Sequence, residues 1–501
     1  MIQDRMVRTI CSLGICAMGL GIAQSALAGR VHPMSQRLDT PELIYGNVAG
    51  GPQYGLFTCQ VGKSIPGSAC YDPYQMRHAY QIDSLISAGY DGTGRTIVII
   101  DAFQNPGLTT QLATFDAQYN LPAVQLTQIA PDGLTPFDPN NGDMIGWAEE
   151  ISLDVAWAHA MAPGAKIVLV LSKSDQDADI QSALQYAVDN NLGDVISMSF
   201  GENESCVDPT IVAAQHAAFA EATLKGITLF ASSGDQGAAL PTCDGSSWVQ
   251  AASSPASDPL VTGVGGTELI AAGWPSTCTD SSCPANPAPG TYQGETAWNE
   301  GPLGDFPTRF RTTEATGGGY SVLFDEPPWQ KSRIKDGKAR AVPDVSYNAA
   351  ILHGVLTYLA IPSNPPIVGW FRFGGTSAGS PQWSAITAIA NQKAGGRLGF
   401  LSSAIYQIGK SNKAYPVSFN DITAGNNNSE QLDSMGNFIT IPGFDAGTAW
   451  DAPTGEGSPI GPSLVDNLIK NVSPGDGQSA VSTTKPKPNP KPIVPGHMDP
   501  H

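Results

Sequence analysis

Between residues 93 and 270, apolar runs with strand character alternate with segments of helical periodicity, and this alternation constrains the fold most strongly. The apolar runs predict buried parallel strands at 97–102, 166–172, 194–200 and 226–233. Helical patterns lie near 107–119, 147–162, 178–190 and 209–224. Such alternation predicts an α/β fold: a doubly wound, mostly parallel sheet flanked by helices on both faces. Functional side chains are then expected at the carboxyl ends of the strands.

The composition indicates a globular protein rich in loops. Of 501 residues, 41% are hydrophobic and only 14% are charged, while glycine (55) and proline (40) are abundant. This is enough for one large domain or two ordinary ones. The net charge of −19 argues against a nucleic-acid partner and suits an acidic or extracellular setting. An acidic surface kept for solubility explains the charge equally well.

The first 28 residues have the pattern of a secretory signal peptide. Arg5 and Arg8 precede an apolar run, and Ala26 and Ala28 supply the small residues of a cleavage site. The apolar run is shorter than the roughly 20 residues of a membrane-spanning helix, although a retained anchor is the alternative. We therefore expect cleavage after Ala28, secretion to the extracellular space or the periplasm, and no membrane association of the mature chain.

Cysteine usage fits that compartment. Two of the eight cysteines, Cys11 and Cys16, lie in the predicted signal peptide, and exported proteins meet oxidising conditions. Pairing by proximity joins the other six as Cys59–Cys70, Cys206–Cys243 and Cys278–Cys283. Six cysteines allow 15 connectivities, so the sequence alone does not decide among them. The sequence contains no C-x-x-C pair, the motif that would indicate a zinc site.

The segment Gly375–Gly379 ("GTSAG") contains the candidate nucleophile, Ser377. It fits the G-x-S-x-G elbow of α/β-hydrolases, and also the Gly-Thr-Ser of subtilisin-like proteases, with Pro381 four residues after the serine. The hydrolase interpretation requires a histidine after the serine. The histidines beyond Ser377 are His497 and His501, both in a Pro-rich tail. Because a catalytic histidine must be held rigidly, we reject that interpretation.

A subtilisin-type triad would use Asp101, His159 and Ser377, which occur in the required order. However, His159 lies deep within a helical pattern, and no His-Gly-Thr motif occurs at the start of that helix. A structural histidine is the simpler interpretation. A neutral protease that uses this triad stays open as an alternative.

The same helix carries Glu150 and Asp154, four residues apart and so on one face, although an ordinary acidic surface would look the same. At about 100° per residue, His159 turns to roughly the opposite side from Glu150. Asp235, in "SSGDQG", follows a predicted strand, where a protonated carboxyl could donate to an oxyanion or simply form a turn. Glu149 is a rival base, five residues from Asp154.

These segments together resemble the sedolisin, or serine-carboxyl peptidase, family. The matching motifs occur in the family's order between about residues 52 and 470, and they are "AEEISLD", "SMSFGENE", "SSGDQG", "VTGVGGTEL", "GETAWNE", "GGGYS", "VPDVSYNA" and "GGTSAGSP". The resemblance implies a subtilisin-like fold in which a glutamate replaces the histidine. It implies that Ser377 is the nucleophile and Glu150 the general base. Asp154 would orient Glu150, and Asp235 would stabilise the oxyanion.

The resemblance predicts an enzyme that hydrolyses peptide bonds of polypeptide substrates through an acyl-enzyme on Ser377. It would be an endopeptidase or a tripeptidyl-peptidase, and we expect a monomer. Because a general base works best near its own pKa, activity is expected at acidic pH. The segment 197–201 ("SMSFG") is expected to pair with the substrate backbone. A catalytically inactive relative that binds peptides is a further alternative.

The family also has a calcium site, which the resemblance transfers to one group of residues: Asp421, Ile422, Gly447, Ala449 and Asp451. Carboxylates and backbone carbonyls are the oxygen ligands that calcium prefers. Ala449 stands where the family usually has glycine, which matters only if the position needs a positive φ. Two ordinary turn aspartates are the alternative.

The chain is thus predicted to comprise a signal peptide (1–28), a short leader (29–51), a peptidase domain (52–472) and a disordered Pro/Lys-rich tail (473–501). Within the domain, residues 271–330 predict a long loop or a small β insertion. The leader is too short for the large folded prodomain that many family members carry. We therefore expect activity to be controlled in another way.

Overall fold

The computed structural model describes residues 29–34, 36–38, 43–45, 56–62, 68–277, 286–301, 312–334 and 337–487, with the backbone alone for 36–38 and 43–45. The predicted signal peptide lies outside the described residues, as do Cys278 and Cys283. Within these segments, no helix has the length and apolar character needed to cross a membrane.

An eight-stranded, mostly parallel sheet, here called the central sheet, forms the core of the chain. Its hydrogen-bonded order is Tyr292–Ala297, Thr262–Ala271, Thr228–Ser232, Val195–Met198, Thr96–Ala102, Lys166–Ser172 and Gln125–Ile129, and Val345–Asn348 is a further parallel partner of Thr262–Ala271. The edge strand Tyr292–Ala297 runs antiparallel to its neighbour. The predicted α/β class and its mostly parallel sheet are confirmed. Strands buried on both faces need to be apolar throughout, which explains the continuous apolar runs in the sequence.

Two pairs of helices cover the central sheet. Gly142–Met161 and Gly379–Ala394 pack against each other and against strands of the sheet. Asp177–Asp189 and Pro209–Leu224 form the second pair, which also packs against the sheet. The remaining helices are Pro73–Ala79, Ile82–Ser87, Leu108–Tyr119, Ser402–Gly409, Tyr415–Ser418, Gly461–Asn471 and Asp476–Thr483.

Smaller sheets surround this core. A four-stranded sheet has the order Gln36–Leu38, Ile367–Gly374, His353–Ile361 and Ala69–Tyr71, and its strand Ile367–Gly374 leads directly into the Ser377 segment. The other described strands are His32–Pro33, Leu43–Tyr45, Leu56–Phe57, Phe200–Asn203, Ala239–Pro241, Trp248–Gln250, Ser253–Ser254, Asn299–Glu300, Glu314–Ala315, Gly319–Asp325, Ala339–Val342, Phe419–Asn420, Ser429–Leu432, Phe438–Ile441 and Ser458–Pro459. Several of them lie in 271–330, as a small β insertion predicts.

Helix Gly142–Met161, here called the carboxylate helix, begins five residues before the predicted helix. The Asn141 side chain accepts a hydrogen bond from the Met144 N–H, which is the geometry of an N-cap. Most of its side chains are buried, as in a helix that passes through a protein core. Pro163 follows directly after its last turn and cannot continue it.

The predicted strand 194–200 divides in two at Ser199. Val195–Met198 stays in the central sheet, while Phe200–Asn203 leaves it and pairs antiparallel with His32–Pro33. A uniform apolar run did not indicate this break. It matters because the backbone groups of Ser199 are released from the central sheet for other contacts.

The chain remains folded beyond the predicted end of the domain. Helix Asp476–Thr483 packs against Pro209–Leu224, and the Thr484 carbonyl accepts a 3.2 Å hydrogen bond from His216 Nε2. The predicted disorder is therefore wrong for residues 473–487, because tertiary contacts order a segment whose composition alone indicates a tail. The rest of the predicted tail lies outside the described residues.

Two of the three disulfides expected by proximity are present. Cys59 is bonded to Cys70, and Cys206 is bonded to Cys243. The third, between Cys278 and Cys283, falls outside the described part of the chain.

A buried ion pair lies where strand Ala339–Val342, which contains Arg340, is followed by strand Val345–Asn348, which begins just after Asp344. Asp344 accepts hydrogen bonds from Arg340 Nη1 (2.6 Å) and Nη2 (2.5 Å), and both side chains are 0% exposed. Asp344 also accepts from the Gly263 N–H at 2.8 Å and from the Tyr406 hydroxyl at 2.9 Å. The pair thereby fixes Asp344 against the central sheet.

Replacing one partner of this pair is expected to destabilise the protein strongly. Asp344→Asn leaves the Arg340 charge buried without its counter-ion, so we expect the free energy of unfolding to fall by about 3–5 kcal/mol. The matched control is Asp466→Asn, which removes the 62%-exposed partner of Lys393 and should change stability by less than about 1 kcal/mol. Urea unfolding measures both variants, and equal effects would contradict this assignment.

Candidate active site

Ser377 lies in a short 3-10 turn, Thr376–Ala378, between a strand and helix Gly379–Ala394. The turn begins at Gly375, whose φ of 99° is in a region that side chains with a Cβ rarely adopt. This glycine sets the direction in which the chain enters the turn. The backbone conformation at position 375 therefore explains the glycine of the Gly-Thr-Ser pattern.

Gly379, which completes the coincidental G-x-S-x-G pattern, is needed for space and not for its backbone angle. A Cβ at this position would lie 2.8 Å from Val264 Cγ1 and 3.1 Å from Tyr347 Cβ. Pro381 follows in the first turn of the helix, where a missing N–H costs no intrahelical hydrogen bond. The missing Cβ of Gly379 thus lets the start of this helix pack closely against the central sheet.

Glu150 and Asp154 lie on the carboxylate helix, which packs against the Thr376–Ala378 turn. Both side chains are 0% exposed, as is Ser377. The interpretation as an ordinary solvated acidic surface is therefore wrong. Two carboxyl groups and the Ser377 side chain are thus buried in the region where the carboxylate helix packs against this turn.

A third carboxyl group, Asp101, joins this pair from the end of strand Thr96–Ala102. Burial raises the pKa of Asp101 well above its usual range, and repulsion from Glu150 adds to the shift. Burial also raises the pKa of Asp154, with repulsion from Asp101, while the side chains of Ser199 and Glu150 partly oppose the shift. Sequence reasoning considered Asp101 only as the acid of a histidine triad and missed its place in this carboxyl cluster (Glu150, Asp154 and Asp101).

Asp235 contacts Thr376, the residue before the candidate nucleophile. Its Oδ1 accepts hydrogen bonds from the Thr376 N–H and hydroxyl, both at 2.8 Å, and Oδ2 has no hydrogen-bond partner among the described residues. Burial raises the pKa of Asp235 to about 7, although the bonds from Thr376 oppose the shift. Below that pH the carboxyl is protonated and can donate from Oδ2. Asp235 therefore contributes to the free energy of unfolding fully below pH 3.8, and this contribution is lost as the pH rises through about 7.

Ser377 makes two hydrogen bonds that sequence reasoning missed. Its hydroxyl donates to the backbone carbonyl of Ser199 at 3.3 Å. Its backbone N–H donates to the carbonyl of Met34, from the predicted leader, at 3.2 Å. The contact with Met34 had no signal in the sequence, because it joins residues more than 300 positions apart.

His159 is a structural histidine. Its Nε2 lies 2.8 Å from the Pro122 carbonyl and 3.3 Å from Asp116 Oδ1, and the side chain is buried. Nine residues separate it from Glu150, which is about 13.5 Å along a helix. The alternative triad with Asp101 and His159 is therefore wrong, because the helix carries His159 away from Ser377.

The five predicted calcium ligands come together at two adjacent turns. The two oxygens of Asp421 lie 3.0 and 3.2 Å from the N–H of Ala449, and Asp451 Oδ2 accepts from the Gly447 N–H at 2.9 Å. Ile422, next to Asp421, is buried. Burial raises the pKa of Asp451 to about 7, and repulsion from Asp421 contributes. Two repelling carboxyl groups in one loop region suit a cation.

Ala449 has a φ of 69°, so this position does adopt the left-handed conformation for which the family usually has glycine. Alanine there is strained by about 1–2 kcal/mol. Within the described residues, no three His, Cys, Asp or Glu side chains form a metal-binding cluster. Any cation here would therefore need backbone carbonyls besides the carboxylates of Asp421 and Asp451.

Comparison with known proteins identifies relatives of this chain. Residues 139–407 match the Subtilase family (Peptidase_S8). The chain is 33% identical over 428 residues to kumamolisin from Bacillus sp. (strain MN-32), covering 84% of this chain and 67% of that protein. It is 33% identical over 321 residues to sedolisin from Pseudomonas sp. (strain 101), and 28% identical over 344 residues to tripeptidyl-peptidase 1 from Mus musculus. Those alignments cover 62% and 64% of this chain but only 47% and 52%, about half, of the two relatives.

A solved structure with a similar fold is that of Pseudomonas sedolisin (serine-carboxyl proteinase) complexed with two molecules of pseudo-iodotyrostatin. It matches with a TM-score of 0.64 and 26% identity, covering 81% of this chain and all of that one. The subtilisin-like fold, the carboxyl cluster beside Ser377 and the extent of the match to kumamolisin lead to one conclusion: this chain belongs to the sedolisin family of serine-carboxyl peptidases.

Proposed function

We propose that this protein hydrolyses peptide bonds of polypeptide substrates at acidic pH, with Ser377 as nucleophile and Glu150 as general base. The observation that carries the proposal is the burial of Glu150 and Asp154 beside Ser377, while His159 lies elsewhere. A buried carboxylate is the group at this position that can accept the proton of the serine hydroxyl. The family membership supports the same reaction class.

In the proposed reaction, Ser377 Oγ attacks the substrate carbonyl carbon as its proton passes to Glu150. Asp154 and Asp101 lie beside Glu150, and their raised pKa values keep protons in the cluster. A protonated neighbour can hydrogen-bond to the Glu150 carboxylate and hold its orientation, and the cluster titrates as one coupled system. Glu150 then returns the proton to the leaving amine, and water hydrolyses the acyl-enzyme by the reverse path.

Two donors are available for the oxyanion. One is the backbone N–H of Ser377, and the other is the protonated Oδ2 of Asp235. Thr376 fixes the opposite oxygen, Oδ1, through two hydrogen bonds, so that Oδ2 is left to donate. Such fixed donors lower the barrier because they need no reorganisation as charge develops.

We favour endopeptidase action over tripeptidyl-peptidase action. Six residues of the chain itself, Gly29–Met34, lie on the amino-terminal side of the position where the Met34 carbonyl meets Ser377. A tripeptidyl-peptidase needs room for only three residues there. We also propose that the protein is secreted and acts as a monomer. The disulfides support secretion, since such bonds persist in oxidising compartments.

The choice of base is tested by two neighbouring glutamates. Glu150→Gln keeps the shape of the side chain but removes its basicity, so kcat on a protein substrate should fall by about 10²–10⁴-fold. Glu149→Gln changes the adjacent, less buried residue and should retain activity within a few-fold. Both variants are assayed between about pH 2 and 9 with Ser377→Ala as the inactive reference. A larger loss of kcat in Glu149→Gln than in Glu150→Gln would show that Glu149, and not Glu150, is the base.

The pH profile tests the role of Asp235. Wild-type activity should rise as the carboxyl cluster ionises and fall as Asp235 loses its proton near pH 7. Asp235→Asn supplies an amide donor that does not titrate, so its kcat/KM should persist above pH 7 relative to wild type. The measurement is kcat/KM for a peptide substrate across the same pH range. A descending limb that does not move in Asp235→Asn would exclude this role.

We further propose one structural calcium site held by Asp421, Asp451 and backbone carbonyls of Ile422, Gly447 and Ala449. The residues fit the ion in charge, because two carboxyl groups share this loop region and repel each other without a cation. Calcium would supply the neutralising charge and tie the two turns together.

Calcium removal should lower the melting temperature. A site saturated at about a hundredfold excess over Kd contributes roughly 2.7 kcal/mol, so a chelator should lower the melting temperature by a few degrees. Asp421→Ala should abolish that sensitivity. Asp445→Ala, an exposed carboxylate in the same region, should keep it. Equal chelator responses in Asp421→Ala and wild type would argue against the site.

A further inference from the structure

The last described residues of the chain, 473–487, here called the strap, lie against the body of the protein. Their helix, Asp476–Thr483, packs on helix Pro209–Leu224. Ala480 and Thr484 are buried, at 1% and 4% exposure, while the other strap side chains are exposed or half-buried. A segment with so few buried side chains opens easily, so its docking depends on the polar contacts that it makes.

A glycine lets the strap helix approach its neighbour closely. A Cβ at Gly477 would lie 3.0 Å from Thr223 Cγ2 and 3.3 Å from the Thr223 carbonyl oxygen. Thr223 is itself buried on helix Pro209–Leu224. The strap helix therefore docks at a defined position on its neighbour.

The carboxyl-terminal end of the strap lies on strand Gly319–Asp325. The Lys487 N–H donates to the Leu323 carbonyl at 2.8 Å, and the Lys487 ammonium lies 3.2 Å from Asp325 Oδ1. The Asp325 side chain is 83% exposed, and an ion pair so open to solvent contributes little. The main polar contact of the strap must therefore lie elsewhere.

His216, on helix Pro209–Leu224, makes that contact. Its Nδ1 lies 2.7 Å from Asp258 Oδ2, and its Nε2 lies 3.2 Å from the Thr484 carbonyl oxygen. The histidine is buried, and its ring centroid lies 5.6 Å from that of Phe324. Each ring nitrogen thus faces one oxygen atom, and one of the two oxygens belongs to the strap.

Both of these oxygen atoms accept hydrogen bonds. The Thr484 carbonyl can only accept, and the Asp258 carboxyl group already accepts from the Leu260 N–H through Oδ1 at 2.8 Å. A neutral imidazole has one N–H and one lone pair, so it can donate to only one of the two oxygens. The imidazolium ion has two N–H groups and can donate to both. The geometry around His216 is therefore that of the protonated ring.

Asp258 is the charged group that contacts the ring. Burial lowers the pKa of His216, but the charge of Asp258 and the hydrogen bonds with Asp258 and Thr484 outweigh burial and raise it above 6.5. Other charged groups on the elements packed here have partners of their own. These are Glu221 with Lys225, Lys487 with Asp325, Arg340 with Asp344, Glu204 with the Ser321 hydroxyl, Asp208 with Thr210 and Asp476 with the Ser473 N–H.

We propose that the strap is a pH-sensitive latch: protonated His216 holds it on the protein at acidic pH, and loss of that proton releases it. Without the proton, His216 can keep its hydrogen bond to Asp258 only by turning a lone pair toward the Thr484 carbonyl. The repulsion between these two acceptors, and the loss of a charge-assisted hydrogen bond, favour the undocked strap.

The sign of the pH effect follows from the raised pKa of His216. Its contribution to docking is complete below pH 6.5, the ordinary pKa of histidine, and is lost as the pH rises through the higher pKa of the docked state. The strap is thus held in the acidic range in which we propose that the enzyme works.

Release of the strap also removes a restraint near the active-site cleft, the region beside Ser377 that strand Phe200–Asn203 borders. Strand Gly319–Asp325 loses its hydrogen bond from the Lys487 N–H. The same strand holds Glu204, whose Oε2 accepts from the Ser321 hydroxyl at 2.7 Å. Because Glu204 directly follows Asn203, the latch is connected to the cleft through one strand, outside the carboxyl cluster.

The first test measures docking of the strap by amide hydrogen exchange in the full chain. Every sample carries Ser377→Ala, so that no proteolysis occurs and the outcome does not depend on the proposed function. Protection factors for 476–484, corrected for the intrinsic effect of pH, are compared between about pH 5 and about pH 9. They should fall by about tenfold or more, as loss of one hydrogen bond to a charged group predicts.

The preceding helix, Gly461–Asn471, is the internal reference for this measurement. It should keep its protection across the same pH range. Strap protection that does not fall at the higher pH would overturn the proposal, and so would a fall that Gly461–Asn471 shares equally.

The second test replaces the histidine. His216→Gln retains an amide but cannot carry a charge, so the strap should exchange rapidly at both pH values. The matched control is His78→Gln: His78 Nδ1 also lies 2.7 Å from a carboxylate, that of Asp83, but it belongs to helix Pro73–Ala79. This control should keep the wild-type pH response of the strap. The same response in His216→Gln would contradict the latch.

A third variant keeps the proposal testable if His216→Gln does not fold. Asp258→Asn leaves the histidine in place and removes the charge beside it. The pKa of His216 should then fall, so the strap should be released at a lower pH than in wild type. The midpoint of the loss of protection measures this shift. A midpoint that stays at the wild-type pH would show that the His216–Asp258 pair does not control the strap.

Discussion

Burial of carboxyl groups at the carboxyl-terminal edge of the central sheet is the constraint on which this site depends. Glu150, Asp154, Asp101 and Asp235 are all 0% exposed, and an ionised carboxylate loses much of its hydration when it is buried. Protons bound to part of the set offset that loss. The same desolvation raises the pKa values of Asp101, Asp154 and Asp235, so that these groups keep their protons to higher pH than an exposed carboxyl group would.

The backbone around this site serves both the fold and the chemistry. At Ser199 the chain leaves the central sheet, and the freed carbonyl accepts from the Ser377 hydroxyl and from the Met34 N–H. The strand that begins at Phe200 then pairs antiparallel with His32–Pro33. A continuous strand would have used these backbone groups within the sheet. The break therefore frees one carbonyl group for contacts with both Ser377 and Met34.

Much of this arrangement could be predicted from local patterns. The apolar alternation predicted the parallel sheet, and the spacing of Glu150 and Asp154 predicted their common face. The place of Asp101 in the carboxyl cluster could not be predicted, because it depends on how a strand end and a helix pack. The order in 473–487 was missed for the same reason. The sequence indicated that alanine at position 449 would matter if the position needed a positive φ. It could not show that Ala449 adopts one, because a sequence does not report backbone angles.

The sequence by itself determined the fold class, which follows from periodicity, and the family, which follows from its motifs; the nucleophile Ser377 and a carboxylate base are what those motifs predict. Tertiary structure decided which carboxyl groups have raised pKa values, because a pKa depends on burial and on neighbours that are distant in the chain. It also decided where the leader lies. Nothing local in Gly29–Met34 indicates the cleft; its position follows from backbone pairing with Phe200–Gly201 and a hydrogen bond from Ser377.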